Sequence, residues 1–319
     1  CPAATHGITV NPLPAAIVGS ATVCEGLTTT LTTTSTGGTW SSSDLLVATI
    51  GTTGVVTGVN PGACDITYTL PTGCYTTHGI TVNTLPAAIT GALSVCPGRN
   101  TTFSNTTLGG NWTSSDISIA TVSFVGGIVN GVSSGVADIT YVLPTGCYAV
   151  KPITVYPLPA PITGTTTAFC ENSTTTLSNT DFGGVWTSSN TGIATIGSST
   201  GDVTGVVSGN PTFTYTLPTG CYTTHTVNVL AAPTAVITAM GPTTFCTGGS
   251  VVLSSTTGPG YTYQWEISGV PISGETNSTY TATTTNSFYV VVTNPSGCIS
   301  VSTPIAVSAA ISPFITTPT

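Results

Sequence analysis

The residues of this chain with the clearest capacity for chemistry are its ten cysteines. Eight of them recur as an early and a late cysteine in four successive stretches, separated by 50, 51, 51 and 52 residues. These disulfide candidates are Cys24 and Cys74, Cys96 and Cys147, Cys170 and Cys221, and Cys246 and Cys298. Cysteines used at this density are typical of proteins from oxidising compartments, where disulfides persist. The pattern therefore predicts disulfide chemistry in an extracellular protein, at the cell surface or secreted.

The other residue types that catalyse reactions or bind metals do not converge. His6, His78 and His225 occupy the same position in successive stretches, a domain length or more apart, so they cannot form a joint metal site or a triad. Asp44 and Asp116 also occupy equivalent positions, without the closely spaced oxygen ligands that Ca²⁺ requires. We therefore predict a protein that is not an enzyme, with no catalytic residue, no metal site and no cofactor.

Charge is scarce in this sequence, because only 4% of the residues are charged. Arg99 and Lys151 are the only Lys or Arg residues, and the net charge is −8. Nucleic acids and anionic lipid surfaces are bound through clusters of basic residues, which this chain lacks. No apolar run approaches the roughly 18–20 residues that span a bilayer. We therefore exclude nucleic-acid partners and predict no membrane insertion in this segment.

Tandem repetition supplies the elements that must position the cysteines. Trp40, Trp112 and Trp186 are 72 and 74 residues apart, and the motif "GTWSSSD" at 38–44 has close variants around the other two tryptophans. A period of about 73 residues is long enough for each unit to have its own core. Each unit offers about seven short strands, rich in Thr, Val and Ile, between turn residues. This pattern indicates a β-sandwich.

Proline-rich joints such as "NPLP" at 11–14 mark the seams between the units. Short, stiff joints of this kind favour extended backbone. The predicted segments are 1–12 as the last strand of a truncated preceding repeat, 13–84 as repeat 1, 85–157 as repeat 2, 158–231 as repeat 3, 232–309 as a diverged fourth domain, and 310–319 as a linker or the first strand of a following domain.

Aromatic residues recur once per unit at two positions, which predicts that they form the cores. One Trp stands on the third strand of each unit, as in many sandwiches, and one Tyr stands late in the unit. The predicted core residues are Trp40, Trp112, Trp186 and Trp265 together with Tyr68, Tyr141, Tyr215 and Tyr289.

The order of the motifs W-S-S-D/N, V/I-A-T-I/V, G-x-V-T-G-V and I-T-Y resembles the bacterial immunoglobulin-like group 2 domain, the module of invasin- and intimin-type adhesins. The resemblance covers about residues 13–231 in three consecutive copies. The added cysteines are similar to those of giant Bacteroidota surface proteins exported by the type 9 secretion system. Residues 232–309 resemble an immunoglobulin- or PKD-like domain of the same proteins. The resemblance implies an all-β chain of tandem immunoglobulin-like β-sandwich domains, arranged end to end as a rod.

The pairing of the cysteines has two interpretations. The constant separation favours one bond inside each repeat, where closing a loop of roughly 50 residues would contribute about 4 kcal/mol. In a plain seven-strand sandwich, however, the early and late positions lie at opposite ends, beyond disulfide reach. Either the early cysteine enters its sheet from the other end, or the bonds link neighbouring repeats, for instance Cys24 to Cys147.

Two cysteines have no counterpart in this scheme. Cys1 belongs to the truncated preceding repeat, and Cys64 is replaced by Ala137 and Pro211 in the next two repeats. Either cysteine could form an intermolecular bond, and for Cys64 an incidental buried thiol is an equal alternative.

These features lead to one principal hypothesis and two alternatives. The principal hypothesis is a non-catalytic structural repeat region, a stalk or a filament, of a bacterial extracellular surface or adhesin protein. Its partners would be the neighbouring domains of the same long chain and, in a filament, further copies of itself. The first alternative is a carbohydrate- or cell-surface-binding module. The second is a filament subunit that exchanges the orphan strands at 1–10 and 310–319.

Overall fold

The computed structural model of the chain describes residues 7–164 and 168–310. Within these residues every regular element is a β-strand, so no helix is present that could cross a membrane. The prediction of an all-β chain of tandem immunoglobulin-like domains is confirmed. The chain divides after Pro157 into two compact units, which are described separately.

The first half of unit 1, called repeat 1, is a sandwich of two sheets. One sheet has the strand order β1-β7-β6-β3 and the other β2-β5-β4. All of these pairs are antiparallel except β1 with β7, which run parallel. The strands are β1 (Thr22–Cys24), β2 (Thr28–Thr30), β3 (Thr39–Ser42), β4 (Ala48–Ile50), β5 (Val55–Gly58), β6 (Gly62–Thr69) and β7 (Tyr75–Asn83).

The second half of unit 1, called repeat 2, has the same topology. Its sheets have the orders β10-β13-β14-β8 and β11-β12-β9, and the first strand β8 again runs parallel to the last strand β14. The strands are β8 (Ser94–Val95), β9 (Asn100–Thr102), β10 (Asn111–Ser114), β11 (Ala120–Val122), β12 (Ile128–Gly131), β13 (Gly135–Val142) and β14 (Tyr148–Val155).

Unit 2 begins with repeat 3, in which the last strand of the sandwich is divided into β22 and β23. Strand β16 runs parallel to β23, β18 pairs β21 and β21 pairs β22, while the opposite sheet has the order β15-β17-β20-β19. The strands are β15 (Thr163–Gly164), β16 (Ala168–Cys170), β17 (Thr174–Ser178), β18 (Val185–Ser188), β19 (Ala194–Ile196), β20 (Asp202–Gly205), β21 (Thr212–Thr216), β22 (Tyr222–Thr226) and β23 (Asn228–Leu230).

Repeat 4 completes unit 2 and is the diverged domain. Its larger sheet has the order β25-β32-β30-β27-β28 with β31 on β30, and its smaller sheet is β24-β26-β29. The strands are β24 (Ile237–Ala239), β25 (Thr244–Cys246), β26 (Val251–Ser255), β27 (Thr262–Ile267), β28 (Val270–Pro271), β29 (Thr279–Ala282), β30 (Asn286–Thr293), β31 (Ile299–Val301) and β32 (Ile305–Ala310).

Each repeat encloses its own hydrophobic core, and in repeats 1 to 3 a Trp–Tyr pair closes it. In repeat 2, Trp112 stands opposite Tyr141 with ring centroids 4.7 Å apart, and both side chains are buried. The Tyr141 hydroxyl donates to the Thr107 carbonyl at 2.7 Å and accepts from the Gly110 N–H at 2.9 Å. A Cβ at residue 110 would lie 2.6 Å from this ring, so the close approach requires glycine.

The same pair recurs in the other two repeats. Trp40 and Tyr68 lie 4.8 Å apart, although Trp40 is only half-buried, and Trp186 and Tyr215 lie 4.7 Å apart. The predicted core positions of repeats 1 to 3 therefore face the interior together, on adjacent strands.

Repeat 4 departs from this pattern at one predicted core residue. Trp265 is fully buried as expected, but it stands opposite Val290, and Tyr289 is paired with Glu266. Successive side chains of a strand point to opposite faces, so Tyr289 lies on the outer face and is only half-buried. Phe288 takes the interior position, and Tyr280 of β29 packs on Trp265 at 5.7 Å. The assignment of Tyr289 to the core is therefore wrong by one residue.

The two predicted end segments are described only in part. Residues 7–12 form no strand, while residues 1–6 and 311–319 lie outside the described residues, and Cys1 and His6 lie there with them. The predicted boundaries of the domains remain predictions.

Candidate functional site

The early cysteine of repeat 1 lies where the chain leaves that repeat. Because β1 runs parallel to the last strand β7, Cys24 stands opposite Asn83, the final residue of β7. The N–H of the following Glu25 donates to the Asn83 carbonyl at 2.9 Å and fixes this register. Cys24 is thereby held beside the linker that leads into repeat 2.

The late cysteine of repeat 2 reaches the same linker from the other side. Cys147 ends the tight turn between β13 and β14, in which the Leu143 N–H donates to the Cys147 carbonyl and the Gly146 N–H to the Leu143 carbonyl, both at 2.9 Å. The turn places Gly146 at φ +85°, a conformation that favours glycine. The sulfur of Cys147 lies 4.0 Å from the Asn83 carbonyl oxygen and forms a disulfide with Cys24, with the two Cα atoms 5.7 Å apart.

Unit 2 builds an equivalent junction between repeats 3 and 4. Cys170 stands opposite Leu230, the last residue of β23, and the Glu171 N–H donates to the Leu230 carbonyl at 2.9 Å. Cys298 ends the turn after β30, and its sulfur lies 4.0 Å from the Leu230 carbonyl oxygen. Cys170 and Cys298 form a disulfide with a Cα–Cα distance of 5.6 Å.

Both bonds join neighbouring repeats, so the pairing inside each repeat is not formed. The strand β7 explains why. Cys74 immediately precedes its first residue, whereas Cys24 stands opposite its last residue, Asn83. Nine residues at about 3.3 Å each put the two positions roughly 30 Å apart, far beyond disulfide reach. The bond of Cys24 to Cys147 is the alternative that the sequence left open.

The remaining cysteines fall into two groups. Cys96 and Cys221 are also disulfide-bonded. Among the described residues the free thiols are Cys64, Cys74 and Cys246. Cys64 is buried in the core of repeat 1, and the Ser42 hydroxyl lies 3.7 Å from its sulfur. Of the two alternatives for this residue, the structure favours the buried thiol.

The junction of unit 2 has polar contacts that the sequence reasoning did not identify. The Glu171 carboxylate accepts the Ser208 N–H at 2.5 Å and the linker Ala232 N–H at 3.1 Å. These bonds, that from Ala232 above all, lower the pKa of Glu171 below its ordinary value, because they favour the charged form. The side-chain amide of Asn294 donates to the Ala231 carbonyl at 2.9 Å. The sequence feature that could have indicated these contacts is the Glu that directly follows the early cysteine, at Glu25 and again at Glu171.

The linkers are also fixed at the start of the following sandwich by side chains that cap their backbone. Ala87 donates its N–H to the Thr107 hydroxyl at 3.0 Å, and its carbonyl accepts from the Asn105 amide at 2.5 Å. In repeat 3 the Asn179 amide donates to the Ala160 carbonyl at 2.6 Å in the same way. Each sandwich thus holds its own leading segment.

The described histidines form no site with neighbouring ligands. His78 lies in β7 and His225 in β22, and both are half-buried on their strands. In the described part of the chain, no group of three or more His, Cys, Asp or Glu side chains could hold a metal ion. Lys151, which stands at the corresponding position of repeat 2, donates to the carbonyls of Ile89 and Gly91 at 3.4 and 3.0 Å.

Shallow depressions lie beside the Trp–Tyr pairs, as in repeat 3 next to Trp186 and Tyr215. Stacking of a sugar requires an exposed ring face, and both of these side chains are only 5% exposed. Trp112 and Tyr141 are equally buried beside the depression of repeat 2. The aromatic pairs of repeats 2 and 3 therefore serve the cores and do not form binding platforms.

No protein-family model matches the chain, and no curated protein matches it. Among solved structures, domains 4 and 5 of the S-layer protein SbsC are 25% identical over 40% of this chain and 82% of that one, with a TM-score of 0.19. SbsC domains 1–6 are 15% identical over 94% of this chain, which spans only 54% of that longer one, with a TM-score of 0.23. Drosophila N-cadherin EC1-4 is 12% identical over 88% of this chain and 94% of that one, also with a TM-score of 0.23.

All of these TM-scores lie below 0.5, so the similarities carry no argument about function. The resemblance to the bacterial immunoglobulin-like group 2 domain, and to Bacteroidota surface proteins, stays a prediction.

Proposed function

We propose that this chain is a non-catalytic structural repeat region, a stalk or filament segment, of a bacterial extracellular surface protein of the adhesin type. In this role the repeats transmit tension and keep a fixed relation to their neighbours. The observation that supports the proposal is the disulfide that crosses the linker inside each of the two units, Cys24 to Cys147 in unit 1 and Cys170 to Cys298 in unit 2.

A disulfide across a linker changes the path of a pulling force. Tension follows the shortest covalent route, which passes from Cys24 directly to Cys147 and from Cys170 directly to Cys298. The residues inside each closed loop then carry no tension, so the strands that lie within the loop cannot be drawn out by a force along the chain. A bond inside each repeat would have left every linker to carry the load alone.

The composition supports an extracellular site for this role. Disulfides persist outside the reducing cytosol. Arg99 and Lys151 are the only targets for proteases that cut after basic residues, and Pro152 follows the second of them. A cut at Arg99 would fall inside the loop closed by Cys24 and Cys147, so the two pieces would stay joined.

Single-molecule force spectroscopy on the whole chain, held by its two ends, tests the proposal. The bonds bypass sequence separations of 123 and 128 residues. At about 3.5 Å per extended residue, reduction of both bonds should lengthen the fully stretched chain by close to 900 Å. The oxidised chain should therefore show no unfolding step that releases either loop.

The matched control for this experiment is Cys64→Ala, which removes a free thiol and leaves both bonds in place. Its stretched length should equal that of the unaltered oxidised chain. A stretched length that is the same before and after reduction would show that the bonds do not lie on the path of force, and would refute the tensile role.

A further inference from the structure

We propose that Cys246 and Cys74 are the two halves of a further inter-repeat disulfide. We call the late cysteine of a repeat, which ends a tight turn, its turn cysteine. Cys246 forms a disulfide with the turn cysteine of an adjoining immunoglobulin-like repeat, and Cys74 forms one with the early cysteine of another. The inference deepens the proposed function, and rests on it, by naming the chemistry through which the repeat region is extended.

The backbone around Cys246 reproduces that of the bonded early cysteines. Strand β25 runs parallel to β32, so Cys246 stands opposite Ala310, the last residue of β32. The Thr247 N–H donates to the Ala310 carbonyl at 2.9 Å, as the residues after Cys24 and Cys170 do to the ends of their last strands. Cys246 is therefore set beside the exit of its repeat as the other two are.

The environment of Cys74 reproduces that of the bonded turn cysteines. The Leu70 N–H donates to the Cys74 carbonyl at 2.9 Å, which closes the same turn that holds Cys147. The thiol of Cys74 lies 3.7 Å from the carbonyl oxygen of Asn11, the residue that corresponds to Asn83 at the Cys147 junction. The Cys74 thiol thus lies beside the linker carbonyl of Asn11, just as the bonded sulfur of Cys147 lies beside the linker carbonyl of Asn83.

Exposure separates the free cysteines from the bonded ones of the same type. Cys147 and Cys298 are fully buried, whereas Cys74 is half-buried. Cys24 and Cys170 are half-buried, whereas Cys246 is exposed. In each bonded junction the neighbouring repeat supplies the missing cover, so both free thiols lie on surfaces that lack such a neighbour within the described residues.

The two junctions also define which cysteines can join. Each bond combines one early cysteine with one turn cysteine. Cys246 is of the early type and Cys74 of the turn type, so each is complementary to the other and not to a second copy of itself. The partner of Cys246 is therefore the turn cysteine of an immunoglobulin-like repeat, and that repeat belongs either to the same polypeptide or to a second molecule.

The bond forms by thiol–disulfide exchange with a low-molecular-weight disulfide. One protein thiolate attacks the small disulfide and displaces one small thiol. The second protein thiolate then attacks the mixed disulfide and displaces the other. Two protein thiols are oxidised to one S–S bond, and the small disulfide is reduced to two thiols.

The first arm of the test uses two variants of the full chain, both carrying Cys1→Ser and Cys64→Ala. One has Cys74→Ser and retains the Cys246 thiol, and the other has Cys246→Ser and retains the Cys74 thiol. They are incubated with oxidised and reduced glutathione, separately and mixed, and analysed by maleimide labelling and non-reducing peptide mapping. If the partner cysteine belongs to a second molecule, both thiols are lost only in the mixture of the two variants, and a disulfide-linked pair of the Cys246 and Cys74 peptides appears.

The second arm places the partner in the same polypeptide. Residues 231–310 are duplicated directly after Ala310, with Ser in place of the early cysteine of the added copy so that Cys246 is the single early cysteine of this type, because the register of Leu230 at the Cys170 junction corresponds to that of Ala310 at Cys246. Cys246 should then lose its maleimide reactivity and map to the appended counterpart of Cys298. The matched control carries Ser at that appended position and should keep the Cys246 thiol free.

A Cys246–Cys74 pair in the first arm, or the appended pair in the second, supports the proposal and identifies the source. The proposal is overturned if neither arm yields its pair, or if the thiols form only Cys246–Cys246 bonds or glutathione adducts. Such a failure would leave the Cys24–Cys147 and Cys170–Cys298 bonds in place, so the stretching experiment would still decide the proposed function independently.

Discussion

The junction of unit 1 and the junction of unit 2 share one covalent bond but differ in the contacts around it. In both, an early cysteine at the end of a last strand is bonded to a turn cysteine of the next repeat. In unit 2 the linker is also held by Glu171 and Asn294. The corresponding residues of unit 1 are Glu25, whose carboxylate makes no hydrogen bond among the described residues, and Leu143, which packs into the core of repeat 2.

The difference shows which part of the junction follows from the fold and which part from individual substitutions. Parallel pairing of the first and last strands sets the early cysteine, and the tight turn sets the late one, so both junctions have the same bond. Hydrogen bonds from side chains to the linker, such as those of Glu171 and Asn294, require a polar residue at particular positions, so they vary between copies of the domain. The covalent bond should accordingly contribute equally to the two units, and the polar contacts only to unit 2.

Removal of either disulfide is the strongest way to test this equality. We expect Cys24→Ala with Cys147→Ala, and Cys170→Ala with Cys298→Ala, each to lower the free energy of unfolding of its unit by about 4–5 kcal/mol, because loops of this length restrict the unfolded chain to a similar degree. Denaturant titration followed by hydrogen exchange, resolved for each unit, measures both values.

Cys64→Ala is the control for these variants, because it removes a thiol that forms no bond. Losses that differ by more than about 2 kcal/mol between the two pairs would contradict the equality, since the loop-length term is nearly the same for both.

The connectivity of these bonds could not be predicted from the sequence, and the reason is the repetition itself. The domain is copied at a constant period. The number of residues between an early cysteine and the late cysteine of its own repeat is therefore nearly the same in every repeat, and so is the number between an early cysteine and the late cysteine of the next repeat. Regular spacing is therefore equally compatible with both pairings. The deciding fact is the parallel register of Cys24 with Asn83, which depends on a long-range strand pairing.

The cores show the converse case, in which the sequence was sufficient for three repeats and failed in the fourth. Counterparts of Trp112 and Tyr141 recur within closely similar motifs in repeats 1 and 3, so their strands and faces could be predicted. In repeat 4 the motif has diverged, and alignment by residue type selected Tyr289 although Phe288 faces the core. An error of one residue in a strand reverses the face, which residue type alone cannot reveal.

Loss of the tyrosine hydroxyl from the Trp–Tyr pair should have a smaller effect on stability, and this effect should again be the same in the two units. Tyr141→Phe and Tyr215→Phe each remove a hydroxyl that joins a backbone N–H to a backbone carbonyl in an otherwise equivalent setting. We expect each to lower the free energy of unfolding by about 1–3 kcal/mol, because both backbone groups lose their partner. Tyr148→Phe, at a half-exposed residue of β14, is the control and should change little. A loss confined to one unit would show that the units differ in their cores as well as their junctions.

The smallest expected effect separates the two junctions. Hydrogen bonds from Ala232 and Ser208 lower the pKa of Glu171 in the folded chain below the ordinary value of 4.5. Folding is therefore favoured by the charged form, so this contribution is fully present above pH 4.5 and is lost as the pH falls through the lowered folded pKa. Glu171→Gln should cost unit 2 less than about 1 kcal/mol at neutral pH, because the carboxylate lies near the surface.

The decisive measurement is the difference in free energy of unfolding between the unaltered chain and Glu171→Gln across this pH range. The difference should be constant from neutral pH down to about the ordinary pKa of a glutamate and should shrink below it. Glu25→Gln in unit 1 is the matched control, and its cost at neutral pH should be smaller, because Glu25 lacks the two backbone donors. Equal costs for both variants would mean that the carboxylate of Glu171 adds nothing to the junction of unit 2.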